Sequence, residues 1–88
     1  MTPVHYSDEA EKALTELTRD ERAAVADVRA SLELDPCRGD RRPGYDPDVE
    51  ERVLRLTTQE TQGRGVSVLY RYHRDMDAVL ITWLIIGP

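Results

Sequence analysis

The sequence predicts a small α+β domain, a mainly antiparallel sheet with a two-helix hairpin packed on one face and elements in the order β-α-α-β-β-β. Three observations predict it. Residues 65–86 read as one long β-hairpin with arms 66–73 and 78–86: the first alternates apolar residues with Ser67, Arg71 and His73, and the second, Ala78 to Ile86, is almost wholly apolar. Apolar residues recur at helical spacing twice upstream, at Ala10, Ala13, Leu14 and Leu17 and again at Val25, Val28 and Leu32. The chain has 88 residues, and a domain of that size removes only roughly 60 to 65% of its unfolded surface from water. A thin, two-layer core in a single domain over residues 1–88 follows.

Val4, His5 and Tyr6 form a short β-prone segment. Ser7 follows as a helix N-cap, with Asp8 and Glu9 in the first turn, where the positive end of the helix dipole favours acids. The apolar spacing carries this helix through about three turns, as far as Leu17. Thr18 and Glu21 stand at capping-box spacing, so a second helix starts there, and Asp35-Pro36 ends it because the residue before proline is pushed out of helical geometry. Residues 37–48, with Gly39, Pro43, Gly44 and Pro47, read as a loop long enough for function or mobility. Arg52 to Thr57 alternate as a strand, with Leu54 and Leu56 on one face and Val53 and Arg55 on the other, and Gln59 to Gly65 read as a polar turn. Arg74-Asp75-Met76-Asp77 reverses the closing hairpin.

Alternation along that hairpin turns Val66, Val68, Tyr70 and Tyr72 toward the helices and leaves Ser67, Leu69, Arg71 and His73 on an open face. Carried into the second arm, the same alternation adds Leu80, Leu84 and Ile86 to that face. So much exposed aliphatic surface on a small sheet implies a partner: a segment laid across the face as a helix, a strand added at an edge, or a second copy of the chain.

Net charge is −5, unevenly placed: residues 49–88 balance five acids with five bases, Arg52, Arg55, Arg64, Arg71 and Arg74. A local positive face is compatible with an acidic molecule, but the long-range attraction of a dedicated nucleic-acid binder is missing. The single cysteine, Cys37, excludes an internal disulfide and a Cys-based zinc cluster. Asp46 and Asp48 bring no convergent ligand set, so they are expected to cap their loop, and neither metal nor cofactor is expected. The apolar run 78–86 is too short to span a bilayer as a helix and the first residues form no apolar leader, so a cytoplasmic location without a membrane partner is expected.

In the order of its elements, in Leu34-x-Pro36 with Gly39 shortly after, in Arg-Val-Leu-Arg-Leu at 52–56 and above all in Val68-Leu69-Tyr70-Arg71, the sequence resembles the RelE/ParE family of bacterial type II toxin-antitoxin toxins. The resemblance implies a toxin neutralised by a small cognate antitoxin, acting on mRNA at the ribosome as an endoribonuclease or, in the ParE branch, on DNA gyrase. For RNA cleavage a ribose 2′-OH attacks the adjacent phosphate in line, which requires cations on the developing phosphorane and groups that move protons. Arg55 and Arg71 are the candidate catalytic cations and His73 the candidate proton carrier, with Arg52, Arg64 and Arg74 as candidate RNA-binding residues.

The chain departs from the family pattern in three places. Ser67 stands where the family has an arginine three residues before the tyrosine of that strand, the last strand runs Thr82-Trp83-Leu84-Ile85-Ile86 without a basic or His/Tyr-bearing end, and lysines are missing from the second strand. Those departures imply a weakened site and leave open a non-nucleolytic member, either a gyrase inhibitor or a protein-binding remnant. On the residues alone, Arg55 and Arg71 have the alternative of pairing with Glu50 or Glu51 as surface ion pairs, worth at most about 1 kcal/mol.

Overall fold

A computed structural model describes residues 1–87. The elements are β1 (Val4–Tyr6), α1 (Asp8–Leu14), α2 (Arg19–Leu34), β2 (Asp40–Arg42), β3 (Val49–Leu56), α3 (Thr58–Thr61), β4 (Val66–His73) and β5 (Ala78–Ile86). They form the expected α+β arrangement: one five-stranded sheet in the order β1-β5-β4-β3-β2, antiparallel except for β1 against β5, with α1 and α2 on one face.

Local chemistry sets the helix ends. Ser7 Oγ accepts the Ala10 N–H and caps α1, and Thr18 and Glu21 close a reciprocal capping box at the start of α2. The first helix is shorter than its apolar spacing predicts. Its last turn tightens, the N–H groups of Thr15, Glu16 and Leu17 bonding carbonyls three residues back, and this still delivers Leu17 to the core. Packed between helices and sheet are Val4, Ala10, Leu17, Val25, Val28, Leu32, Leu56, Val66, Val68, Tyr70, Val79, Ile81 and Leu84.

Two short elements depart from the sequence expectation. The loop 37–48 contains β2, an Asp-Arg-Arg edge strand whose side chains are all exposed; it is held by backbone pairing to β3, which begins at Val49 rather than Arg52. The polar turn 59–65 contains α3, opened by a second capping box in which Thr57 and Glu60 bond each other's backbone N–H groups.

A bulge in β5 corrects the assignment of its faces. Leu69 pairs with Trp83 and Tyr70 with Ile81, so Thr82 is the extra residue, its hydroxyl donating to the Leu69 carbonyl at 3.2 Å. Val79 and Ile81 face the helices before the bulge, and Leu84 and Ile86 face them after it. Leu84 and Ile86 therefore do not lie on the open face; Leu80, Trp83 and Ile85 do, with Trp83 and Ile85 each 48% exposed. Leu84→Ala is accordingly expected to cost roughly 2 to 5 kcal/mol and Ile85→Ala only about 0.5 kcal/mol. Urea melts that reverse this ranking would contradict the bulged register.

Candidate functional site

Cross-strand register arranges the open face in rows. Val49, His73 and Ala78 form one; Arg42, Glu51, Arg71 and Leu80 the next; Asp40, Val53, Leu69 and Trp83 a third; Arg55, Ser67 and Ile85 the last. His5 of β1 stands beside Leu80. The face thus carries cations at its two ends and an apolar strip between them.

Arg71 and His73 come together. They sit two positions apart on one face of β4, roughly 7 Å along the strand, and flank an open cleft of about 350 Å³ between Val49, Glu51 and the loop residues 44–46. Arg71 Nε donates to Glu51 Oε1 at 3.1 Å in a half-exposed pair. Its terminal nitrogens have no protein partner among the described residues. Arg55 is separate: it pairs in register with Ser67, about 13 Å along the sheet from Arg71. It makes no ion pair among the described residues and borders a smaller hollow of about 240 Å³ with Arg42, Val53, Ser67, Leu69 and Ile85.

The three arginines named as RNA-binding are occupied within the fold, away from the rows that carry Arg55, Arg71 and His73. Arg52 holds Glu50 Oε1 through Nε at 2.9 Å and, through Nη1, the carbonyls of Cys37 and Gly39 at 3.1 and 2.6 Å. Arg74 binds Glu50 Oε2 at 3.3 Å and the Pro47 carbonyl. Glu50 is almost fully buried, and the hydrogen bond from Arg52, followed by the charges of Arg52, Arg74 and Arg41, holds its carboxyl below the usual carboxylate range. Arg64 grips buried Glu21 through Nη2 at 2.9 Å and Nε at 3.1 Å. Each guanidinium thus fastens a loop: Arg52 the segment after α2, Arg74 the one before β3, Arg64 the one after α3.

Two residues of the cleft, Tyr45 and Val49, carried no expectation from the sequence. Tyr45, fully exposed, stands on the cleft's rim. The available signal was a lone aromatic amid Gly44, Asp46 and Pro47, where a turn needs none. Among the described residues no three His, Cys, Asp or Glu side chains are grouped as a metal site, and no helix is long and apolar enough to cross a membrane.

No family model and no curated protein matches the sequence. Solved structures do. The chain is similar to the isolated E. coli RelE toxin with a TM-score of 0.76 at 12% identity, over 100% of this chain and 86% of that one. The fold is that of the RelE toxins. It is also similar to a chain of the archaeal RelE-RelB complex from Pyrococcus horikoshii OT3, with a TM-score of 0.81 at 21% identity over 98% of this chain and 96% of that one. A RelBE toxin-antitoxin complex from Mycobacterium tuberculosis supplies a further match, with a TM-score of 0.68 at 20% identity and coverage of 97% and 90%. The RelE fold expected from Val68-Leu69-Tyr70-Arg71 and the order of elements is thus the fold observed.

Proposed function

We propose that this chain is a RelE-like toxin of a type II toxin-antitoxin system, a cytoplasmic ribosome-dependent mRNA endoribonuclease held in check by a cognate small antitoxin. The observation that carries the reading is the pairing of Arg71 with His73 at one cleft on the open face of a RelE fold. A guanidinium with free terminal nitrogens suits a phosphate in the act of transfer, and an imidazole beside it can take the 2′-OH proton or return one to the leaving oxygen. Arg55, about 13 Å further along the same face, suits a phosphate about two nucleotides along an extended strand. Ribosome and mRNA supply the positioning that this acidic chain lacks on its own.

The test is cell-free bacterial translation with cleavage mapped by primer extension. Wild-type protein is expected to cut mRNA on the ribosome, and Arg71→Ala to slow cleavage by about a hundredfold, the scale on which losing one donor to transition-state charge is felt. Folded protein that leaves mRNA intact and protein synthesis unimpaired would refute the nuclease.

A second reading, a non-nucleolytic gyrase inhibitor or protein-binding remnant, is favoured by Ser67 facing Arg55 and by the engagement of Arg71 with Glu51. Gyrase inhibition that survives Arg71→Ala would select it.

The antitoxin's place is supported by the apolar strip Leu69, Leu80, Trp83 and Ile85, and by a groove of about 500 Å³ between α1 and the end of β5. A homodimer through the same strip is the competing occupant. Light scattering of the isolated chain separates the two: a monomer leaves the strip to an antitoxin, and a concentration-dependent dimer weakened by Trp83→Glu does not.

A further inference from the structure

The cleft beside Arg71 has a feature that phosphate chemistry does not explain. Tyr45 lies on a rim of glycine, proline and aspartate with its whole ring in solvent, making no protein hydrogen bond among the described residues. The segment beneath it is tied down. Asp46 Oδ1 accepts the Asp48 N–H at 2.9 Å, the Asp48 carbonyl accepts the Arg74 N–H at 2.8 Å, and the Arg74 guanidinium bonds the Pro47 carbonyl while resting on buried Glu50. The anchored backbone fixes where the ring is carried, and a flat ligand stacked on it has only two side-chain torsions to order. Across the cleft stand the free terminal nitrogens of Arg71 and the His73 imidazole, with Val49 of β3 in register beside His73. The volume of about 350 Å³ falls at the small end of ligand sites, enough for one nucleotide.

We infer that Tyr45 is a base-stacking platform, holding one unpaired RNA base on the β2–β3 loop while Arg71 holds that nucleotide's phosphate. This deepens the nuclease reading and rests on it. Aromatic stacking is tolerant of base identity, because every base offers a π-face. The phosphate reaches Arg71 in competition with the Glu51 carboxylate, which already occupies Nε. Arg74, by holding Pro47 and the Asp48 backbone, acts as a positioning residue for the loop and not as an RNA contact.

The test is fluorescence anisotropy with a labelled single-stranded RNA pentamer, alongside ribosomal mRNA cleavage by the same proteins. Tyr45→Ala is expected to weaken pentamer binding roughly tenfold or more, Tyr45→Phe to bind like wild type, and Glu51→Gln to bind more tightly. Tyr45 is fully exposed, so its variants are expected to melt like wild type. Wild-type-like binding by Tyr45→Ala overturns the inference, and so does equal loss in Tyr45→Phe, which would assign the effect to the hydroxyl. A Tyr45→Ala protein that cuts mRNA at the wild-type rate overturns the platform and leaves the nuclease standing. Wild-type protein that binds no pentamer overturns the platform, with cleavage on the ribosome judging the nuclease separately. Loss of binding to a partner protein in Tyr45→Ala with RNA binding intact assigns the ring to a protein interface and overturns the inference too.

Discussion

Replacing Tyr70 with phenylalanine is expected to destabilise the domain by about 2 kcal/mol, the cost of leaving buried polar groups without partners. Tyr70 is 1% exposed, and its hydroxyl accepts the Gly39 N–H at 2.8 Å and donates to the Pro36 carbonyl at 2.9 Å. One phenol thus pins the exit of α2 to the centre of the sheet. Burial pushes the hydroxyl's pKa up, in keeping with a neutral group that both donates and accepts. For a domain of this size, that loss corresponds to a melting temperature lower by about 10 °C.

Gly39 is the other half of the same crossing. A Cβ there would lie 2.8 Å from Tyr70 Oη and 2.9 Å from both its Cε1 and the Val53 carbonyl oxygen. Backbone and a fully packed ring cannot give way, so Gly39→Ala is expected to cost roughly 1 to 3 kcal/mol. Because Oη is one of the atoms met, the two substitutions together should cost less than their sum. Chemical denaturation of the double-mutant cycle measures this, and strict additivity would contradict the shared contact.

The second large effect is expected at Glu21. This fully buried carboxylate receives the Thr18 N–H, the Arg64 N–H and the Arg64 guanidinium, joining the start of α2 to the segment after α3. The Arg64 side chain first, then those two backbone donors, hold its pKa at about 2 against an ordinary value of 4.5. The folded state therefore keeps this group charged at a pH where the unfolded chain already binds a proton. Its stabilisation is complete above pH 4.5 and is lost as pH falls from there toward about 2.

Glu21→Gln is expected to lower the melting temperature at neutral pH by on the order of 10 °C. Thermal melts followed by circular dichroism between pH 4.5 and 2 should then fall less steeply for the variant than for wild type. The slope that remains belongs to Glu50, Glu60 and Asp77, whose pKa values are also lowered. Parallel curves would mean that Glu21 titrates alike in both states, contrary to the hydrogen bonds around it.

Much of the fold was legible along the chain. Ser7, Thr18 and Glu21 marked helix starts because capping is a contact across three residues, and the arms of the β4–β5 hairpin were bounded correctly because strand alternation is equally local. The second capping box, Thr57 with Glu60, carried the same signal, though a helix of four residues has no apolar stripe to support it. Strand β2 left no signal at all, since Asp-Arg-Arg has no apolar alternation and its pairing is made by backbone. Of the site, the placement of Arg71 and His73 on one face was legible from their spacing of two, while the cleft they share with Tyr45 was not.

What the sequence by itself determined depends on neighbours a few residues apart: the types of all elements but β2 and α3, most of their boundaries, the core row of β4 and the open row that carries Arg71 and His73. Only the tertiary structure decided which arginines keep terminal nitrogens without a protein partner among the described residues. Arg52, Arg64 and Arg74 read like Arg55 and Arg71 in a linear chain, but the groups that take up their terminal nitrogens include distant ones: Glu21 is 43 residues from Arg64, the Pro47 carbonyl 27 from Arg74, and the Cys37 and Gly39 carbonyls 15 and 13 from Arg52. Only the tertiary structure exposed Trp83 and Ile85 and buried Leu84, because the Thr82 bulge arises from pairing between two strands. The physical reason is common to both: periodicity is written in one segment, whereas ion pairing and register are agreements between segments that meet only when the chain has folded.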